Sequence, residues 1–155
     1  MPKAVFTAER GKQQVTITRV FDARREEVVQ AYMNPELIPE WWGPANLKTT
    51  VDKMDVRSGG MWRFVQRDPQ GKEYAFHGVY HQVSPDRMVY TFEYEGMPGH
   101  VMLETVDFQD QDEKTRVIVT DVFQSVADRD AMVKSGMEKG AVESMERFAE
   151  VLNKG

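Results

Sequence analysis

Four carboxylates fall within segments that alternate like β-strands: Glu93, Glu104, Asp107 and Asp121. A carboxyl aimed into an apolar cavity holds its proton to a higher pH than usual and can serve as a general acid or base. Asp121 is the most interesting of the four, because it shares an alternating face with Val117 and Val119. The ordinary fate of strand carboxylates is pairing with arginine across strands, here Arg63, Arg87 or Arg116, or simple exposure to solvent. That is the reading adopted, and no catalytic residue is assigned. The histidines are His77, His81 and His100. His77 and His81 stand four apart on one strand and share a face, roughly 13 Å from each other by strand rise, too far to chelate one metal. No HExxH-type helix or acidic complement completes a set, so no metal and no cofactor are expected. The sequence has no cysteine and hence no thiol nucleophile, disulfide or thiolate site. It also shows no Ser–His–Asp spacing, glycine-rich phosphate loop or nucleophile elbow.

Apolar recognition is the chemistry better represented. Ten methionines accompany three Trp, five Tyr and eight Phe, side chains that line adaptable hydrophobic sites as well as ordinary cores. Trp62, Phe64 and Gln66 share one face of a strand. Phe76, Gly78, Tyr80 and Gln82 share another, and Met88, Tyr90, Phe92 and Tyr94 a third. These faces are assigned inward, the Phe76–Val83 segment being ambiguous because both its faces carry bulky groups. Two adjacent tryptophans in the turn Trp41-Trp42-Gly43-Pro44 cannot easily enter one pocket. One is expected beneath the short helices, the other at a cavity mouth. The candidate ligand-binding residues are therefore Trp42, Trp62, Phe64, Phe76, Tyr80, Tyr90 and Phe92, with Met137, Ala141 and Met145 from a helix above them.

That helix is the longest periodic segment. Between Ser125 and Leu152, residues Met137, Gly140, Ala141, Ser144, Met145, Phe148, Val151 and Leu152 make one apolar or small face. Ser125 followed by Asp128 resembles a capping box, and Gly136 is a point where a short first helix bends into the main one. Small and pliable residues suit a roof over a space that is not filled. Upstream, residues 1–12 read as a loose lead-in and Gln14–Phe21 as a first strand. Asp22 can cap a short helix over Ala23–Met33. A second short helix runs from Pro35 to about Glu40. From Leu47 the period becomes two, giving strands over Thr49–Val56, Met61–Arg67, Glu73–Val83, Arg87–Glu95, His100–Phe108 and Thr115–Phe123. Asp68-Pro69-Gln70-Gly71 has the residues of a type I turn. Short connections make successive strands antiparallel neighbours, and the long helix is the element able to cover such a sheet.

The 155 residues are read as one domain, 1–155. A net charge of −5 and the lack of a basic cluster argue against nucleic-acid binding. No apolar run approaches membrane-spanning length and no secretory signal is visible, so a cytoplasmic protein without membrane insertion is expected.

A family resemblance rests on ordered motifs: Arg19-Val20-Phe21-Asp22-Ala23, Asn34-Pro35-Glu36-Leu37, Trp41-Trp42-Gly43-Pro44, Gly59-Gly60-Met61-Trp62-Arg63-Phe64, Gly78-Val79-Tyr80, Ser84-Pro85-Asp86-Arg87-Met88-Val89-Tyr90-Thr91, Lys114-Thr115-Arg116-Val117 and Gly136-Met137-Glu138-Lys139-Gly140-Ala141. Over residues 14 to 152 the chain resembles bacterial stand-alone relatives of the C-terminal domain of the activator of the ninety-kilodalton heat-shock protein ATPase. These belong to the START-like, polyketide-cyclase-like superfamily. The resemblance implies an α+β helix-grip fold, a curved antiparallel sheet of about seven strands around the C-terminal helix with two short helices after the first strand, and a cavity between sheet and helix. The leading functional expectation is a non-enzymatic binder of a small hydrophobic molecule, lipid-, polyketide- or aromatic-like. One alternative is a cyclase or hydratase using a buried carboxylate or histidine with Tyr80 or Tyr90. Another is a chaperone-directed or self-associating module, including a homodimer, which would expose an apolar patch on the outer sheet face or near Trp41-Trp42.

Overall fold

Apolar side chains recurring at every second residue place one face of each strand under a helix, and the architecture follows from that pattern. The computed structural model describes residues 3–154. Its strands are β1 (Val5–Thr7), β2 (Gln14–Phe21), β3 (Lys48–Met54), β4 (Met61–Arg67), β5 (Glu73–Ser84), β6 (Arg87–Tyr94), β7 (Val101–Gln111) and β8 (Lys114–Val122). Its helices are α1 (Arg25–Tyr32), α2 (Ile38–Trp41), α3 (Val126–Lys134) and α4 (Met137–Lys154). The strands form one antiparallel sheet in the order β1-β2-β8-β7-β6-β5-β4-β3. This is the expected α+β helix-grip arrangement, with eight strands in place of about seven. The additional strand, β1, lies in the stretch read as a loose lead-in. It pairs with β2 through three residues, too few to display a period.

From β3 to β8 the sheet is a meander. Only the β2–β3 connection jumps, from beside β8 to the far edge, and α1 and α2 occupy it. Both helices are shorter than their patterns suggested. Asp22 does not cap α1: the residue preceding the helix is Arg24, and no side chain caps it. The capping expected at Ser125 is present, its Oγ accepting from the Asp128 N–H at 3.0 Å. Gly136 has φ 101° and separates α3 from α4, a left-handed conformation that glycine adopts without steric cost.

The C-terminal half of α4 anchors the fold. The fully buried Phe148 ring meets Trp41, Phe21 and Tyr32 edge-on at 4.8, 5.2 and 5.5 Å. Two residues earlier, Glu146 takes two hydrogen bonds from the buried Arg19 of β2, at 2.8 and 3.0 Å. The Arg19 guanidinium also lies over the Phe21 ring. These bonds hold the Glu146 carboxyl below its ordinary pKa.

Candidate functional site

Antiparallel register decides which side chains from different strands meet on the inner face. Trp62 of β4 lies opposite Gly78 of β5, and Phe64 opposite Phe76. A methyl at Gly78 would come within 1.8 Å of the Thr91 carbonyl oxygen and 2.6 Å of the Trp62 indole nitrogen. The indole instead lies across the bare glycine and donates to the Thr91 carbonyl at 3.1 Å. On β6 and β7, Phe92 faces Met102. Trp42 caps this aromatic group from above, edge-on to Phe64 at 5.0 Å and to Phe76 at 5.4 Å.

The turn that delivers Trp42 is tied to α4. The Ser144 hydroxyl donates to the Trp41 carbonyl at 2.9 Å and accepts from the Gly43 N–H at 3.3 Å. Arg147 donates to the Gly43 carbonyl at 2.7 Å, and Glu143 accepts from the Ala45 N–H at 2.8 Å. Beneath the turn, the Thr49 hydroxyl donates to the Trp42 carbonyl. Gly43 has φ 83°, and a Cβ there would sit 2.0 Å from the Gln66 amide nitrogen. The two tryptophans separate as their adjacency suggested: Trp41 is buried against Tyr32 and Phe148, whereas Trp42 is half-buried among the strand aromatics.

Between these aromatics and the N-terminal half of α4 lies a partly open pocket of about 270 Å³. All ten candidate residues line it: Trp42, Trp62, Phe64, Phe76, Tyr80, Tyr90, Phe92, Met137, Ala141 and Met145. The ambiguous strand turns Phe76 and Tyr80 inward, but Gln82 does not follow them. His81 is an extra residue at a bulge between Tyr80, which pairs with Tyr90, and Gln82, which pairs with Val89. The bulge reverses the alternation, so Val83 joins the core while Gln82 is exposed. His81 is exposed at the bulge, and the His77 ring lies against Glu93 and Glu95.

A transverse row on the inner face carries the polar chemistry. Tyr80, Tyr90, Glu104 and Asp121 are successive register partners across β5, β6, β7 and β8. Apolar rows flank it, with Phe92 and Met102 on one side and Met88, Val106 and Val119 on the other. The Tyr90 hydroxyl donates to Glu104. Asp121 is 1% exposed, and its Oδ1 has no hydrogen-bond partner. Burial raises its pKa well above the ordinary carboxylate value, with the adjoining Glu104 adding to the shift. Tyr90 and Tyr32, from α1, are likewise raised, first by burial and then by the charge of Glu104. Burial also raises Tyr80. On the opposite wall the Trp41 indole nitrogen is a second buried polar atom without a partner.

The four strand carboxylates therefore divide. Asp107 pairs with Arg87 at 2.7 Å, and Glu93 accepts from the Gly99 N–H, as ordinary surface groups do. Glu104 and Asp121 depart from the expectation of arginine pairing or solvent: both border the cavity. The alternation of Asp121 with Val117 and Val119 was the signal for its facing. The neighbouring Glu104 became evident only from the β7–β8 register. Large apolar side chains exposed among the described residues are Val5, Met61, Met97, Leu103 and Val122, of which Leu103 and Val122 pair across strands. No helix among the described residues is long and apolar enough to cross a membrane.

Comparison with known proteins places this geometry in a family. The model of the family described as "Activator of Hsp90 ATPase homolog 1-like protein" matches residues 22–153. Among solved structures, a solution structure of a protein from Arthrobacter aurescens superposes with a TM-score of 0.90 at 22% identity, over 97% of this chain and 92% of that one. A protein from Rhodobacter sphaeroides superposes with a TM-score of 0.90 at 20% identity, over 99% of each chain. One from Staphylococcus epidermidis gives 0.81 at 26% identity, over 96% and 94%. Among curated proteins nothing matches.

Proposed function

This chain belongs to the Activator of Hsp90 ATPase homolog 1-like family, and we propose that it binds a small, mainly hydrophobic molecule between the aromatic inner face and the N-terminal half of α4. The observation that carries the reading is a cavity of about 270 Å³ walled by aromatic side chains, two of whose lining residues, Asp121 and Trp41, carry a buried polar atom without a partner, Oδ1 and Nε1. A filled core leaves neither the space nor the unpaired groups, whereas a ligand site combines an apolar lining with a few convergent polar atoms. A dry cavity of about 150 Å³ accommodates benzene, so the larger volume here suits a molecule of roughly ten non-hydrogen atoms.

Native mass spectrometry of protein purified from its own host, followed by denaturing extraction, tests this. The expected result is a hydrophobic compound at near one-to-one stoichiometry. A bare mass, combined with no binding of propylbenzene in titration, overturns the proposal.

A second reading rests on the polar row. Asp121, Glu104 and Tyr90 form a hydrogen-bonding set able to hold and pass a proton at the edge of an apolar space, as a hydratase or cyclase requires. It predicts that the extracted compound is converted by the wild-type protein and left intact by Asp121→Asn. An unchanged compound in both reactions removes this reading and leaves the binder reading in place.

A further inference from the structure

Glu104 and Asp121 are register partners on β7 and β8, and both line the cavity wall. A charge on one carboxyl disfavours ionisation of its neighbour, and burial, with Glu104 alongside, holds Asp121 above the ordinary carboxylate range. No Lys, Arg or His pairs with either carboxyl among the described residues. The inward-facing Arg19 is committed to Glu146, and Arg87 to Asp107. The titratable groups facing the pair are phenols: Tyr32 from α1, Tyr80 from β5 and Tyr90 from β6. Tyr90 already donates to Glu104, while Asp121 Oδ1, buried in the wall, lacks a donor.

Building on the binder reading, we infer that the ligand carries a protonated amine and that the Glu104–Asp121 pair receives it, with the aromatic wall around Trp42 and Trp62 holding the apolar remainder. The charge argument selects the class. A buried negative charge without a counter-ion is costly, and a ligand cation neutralises it. Aromatic faces add cation–π attraction beside it. An alcohol can donate to Asp121 Oδ1 but leaves the charge uncompensated. A carboxylate ligand adds a second negative charge to the first.

The test compares four probes of one shape class by titration calorimetry at neutral pH: phenethylamine, phenethyl alcohol, propylbenzene and phenylacetate. The amine is expected to bind about tenfold or more tightly than the alcohol or the hydrocarbon, with phenylacetate weakest. In the protein carrying Glu104→Gln and Asp121→Asn, amine affinity is expected to fall to that of the alcohol, with propylbenzene still bound. Retained propylbenzene binding shows that the altered cavity is intact. The single Glu104→Gln protein provides the same comparison if the double variant does not fold. An alcohol or hydrocarbon that binds the wild-type protein as tightly as the amine overturns the amine inference and leaves the binder reading standing. Failure of all four probes to bind overturns the amine inference, and together with a bare native mass it overturns the binder reading as well.

Discussion

Toward its C-terminus α4 inserts Phe148 among Phe21, Tyr32 and Trp41, whereas toward its N-terminus it sets Met137, Gly140 and Ala141 above the rings of Trp42, Phe76 and Phe92 across an open space. The same helix and the same sheet thus make a close-packed interface at one end and a hollow one at the other. Residue size accounts for part of this, since a glycine and an alanine cannot fill the distance that a phenylalanine spans. Tethering accounts for the rest. Ser144, Arg147 and Glu143 tie the Trp41–Ala45 backbone to α4, and Glu146 ties α4 to Arg19, so the helix is held at the packed end and middle. A relaxed core would collapse onto a void of this size; a tethered helix resists that collapse.

The largest test of the contrast removes a ring from each half. Phe148→Ala is expected to lower stability by about 3–5 kcal/mol, whereas Phe76→Ala, half-buried beside the cavity, should cost under about 2 kcal/mol. Urea denaturation of both variants measures this, and equal losses would erase the distinction between the halves. Next in size is Gly78→Ala. The added methyl collides with the Thr91 carbonyl and the Trp62 indole, so a loss of about 1–3 kcal/mol is expected, together with altered Trp62 fluorescence. An unperturbed variant would mean that the β5–β6 contact is looser than described.

The pH dependence separates the inner row from the outer sheet face. Asp121 has a raised pKa in the folded protein. Between the unfolded carboxylate value of about 3.9 and that raised value, the folded state holds a proton that the unfolded chain has released. This group therefore makes stability fall as pH rises through that window, and Asp121→Asn should flatten the decline in a series of thermal melts. On the outer face, hydrogen bonds from Arg63 and then His77 lower Glu95 to about 2. Its contribution is complete above the unfolded value and is lost as pH falls toward about 2, the opposite sign. Glu95→Gln should weaken the acid-side loss, and the same melts check it. The smallest expected effect is at Gly140, where an added Cβ meets nothing within 4 Å. Gly140→Ala should raise stability by about 0.5–1 kcal/mol through helix propensity. Destabilisation in thermal melts would place an unseen neighbour over the roof.

Much of this was legible before any coordinates. Two-residue periods gave the inward faces of β4 and β6, and the separate environments of Trp41 and Trp42 followed from two large rings in one turn. Where the structure departs from the local pattern, the cause is nonlocal. Gln82 changed faces because His81 forms a bulge, which depends on the pairing of β5 with β6 rather than on the residues of β5. Glu104 and Asp121 were weighed as ordinary strand acids because nothing in either strand alone reveals that the two share a wall.

The sequence by itself determined the element order from β2 onward, the break at Gly136, the aromatic character of the inner face and the small residues on the roof. Each depends on steric preferences or side-chain periods that operate within a few residues. Tertiary structure alone decided the β1 pairing, the bulge, the union of Glu104 with Asp121 and the survival of an open space beneath α4. Register between strands and the standoff of a helix from a sheet are set by contacts between residues far apart in the chain, and no local period encodes them.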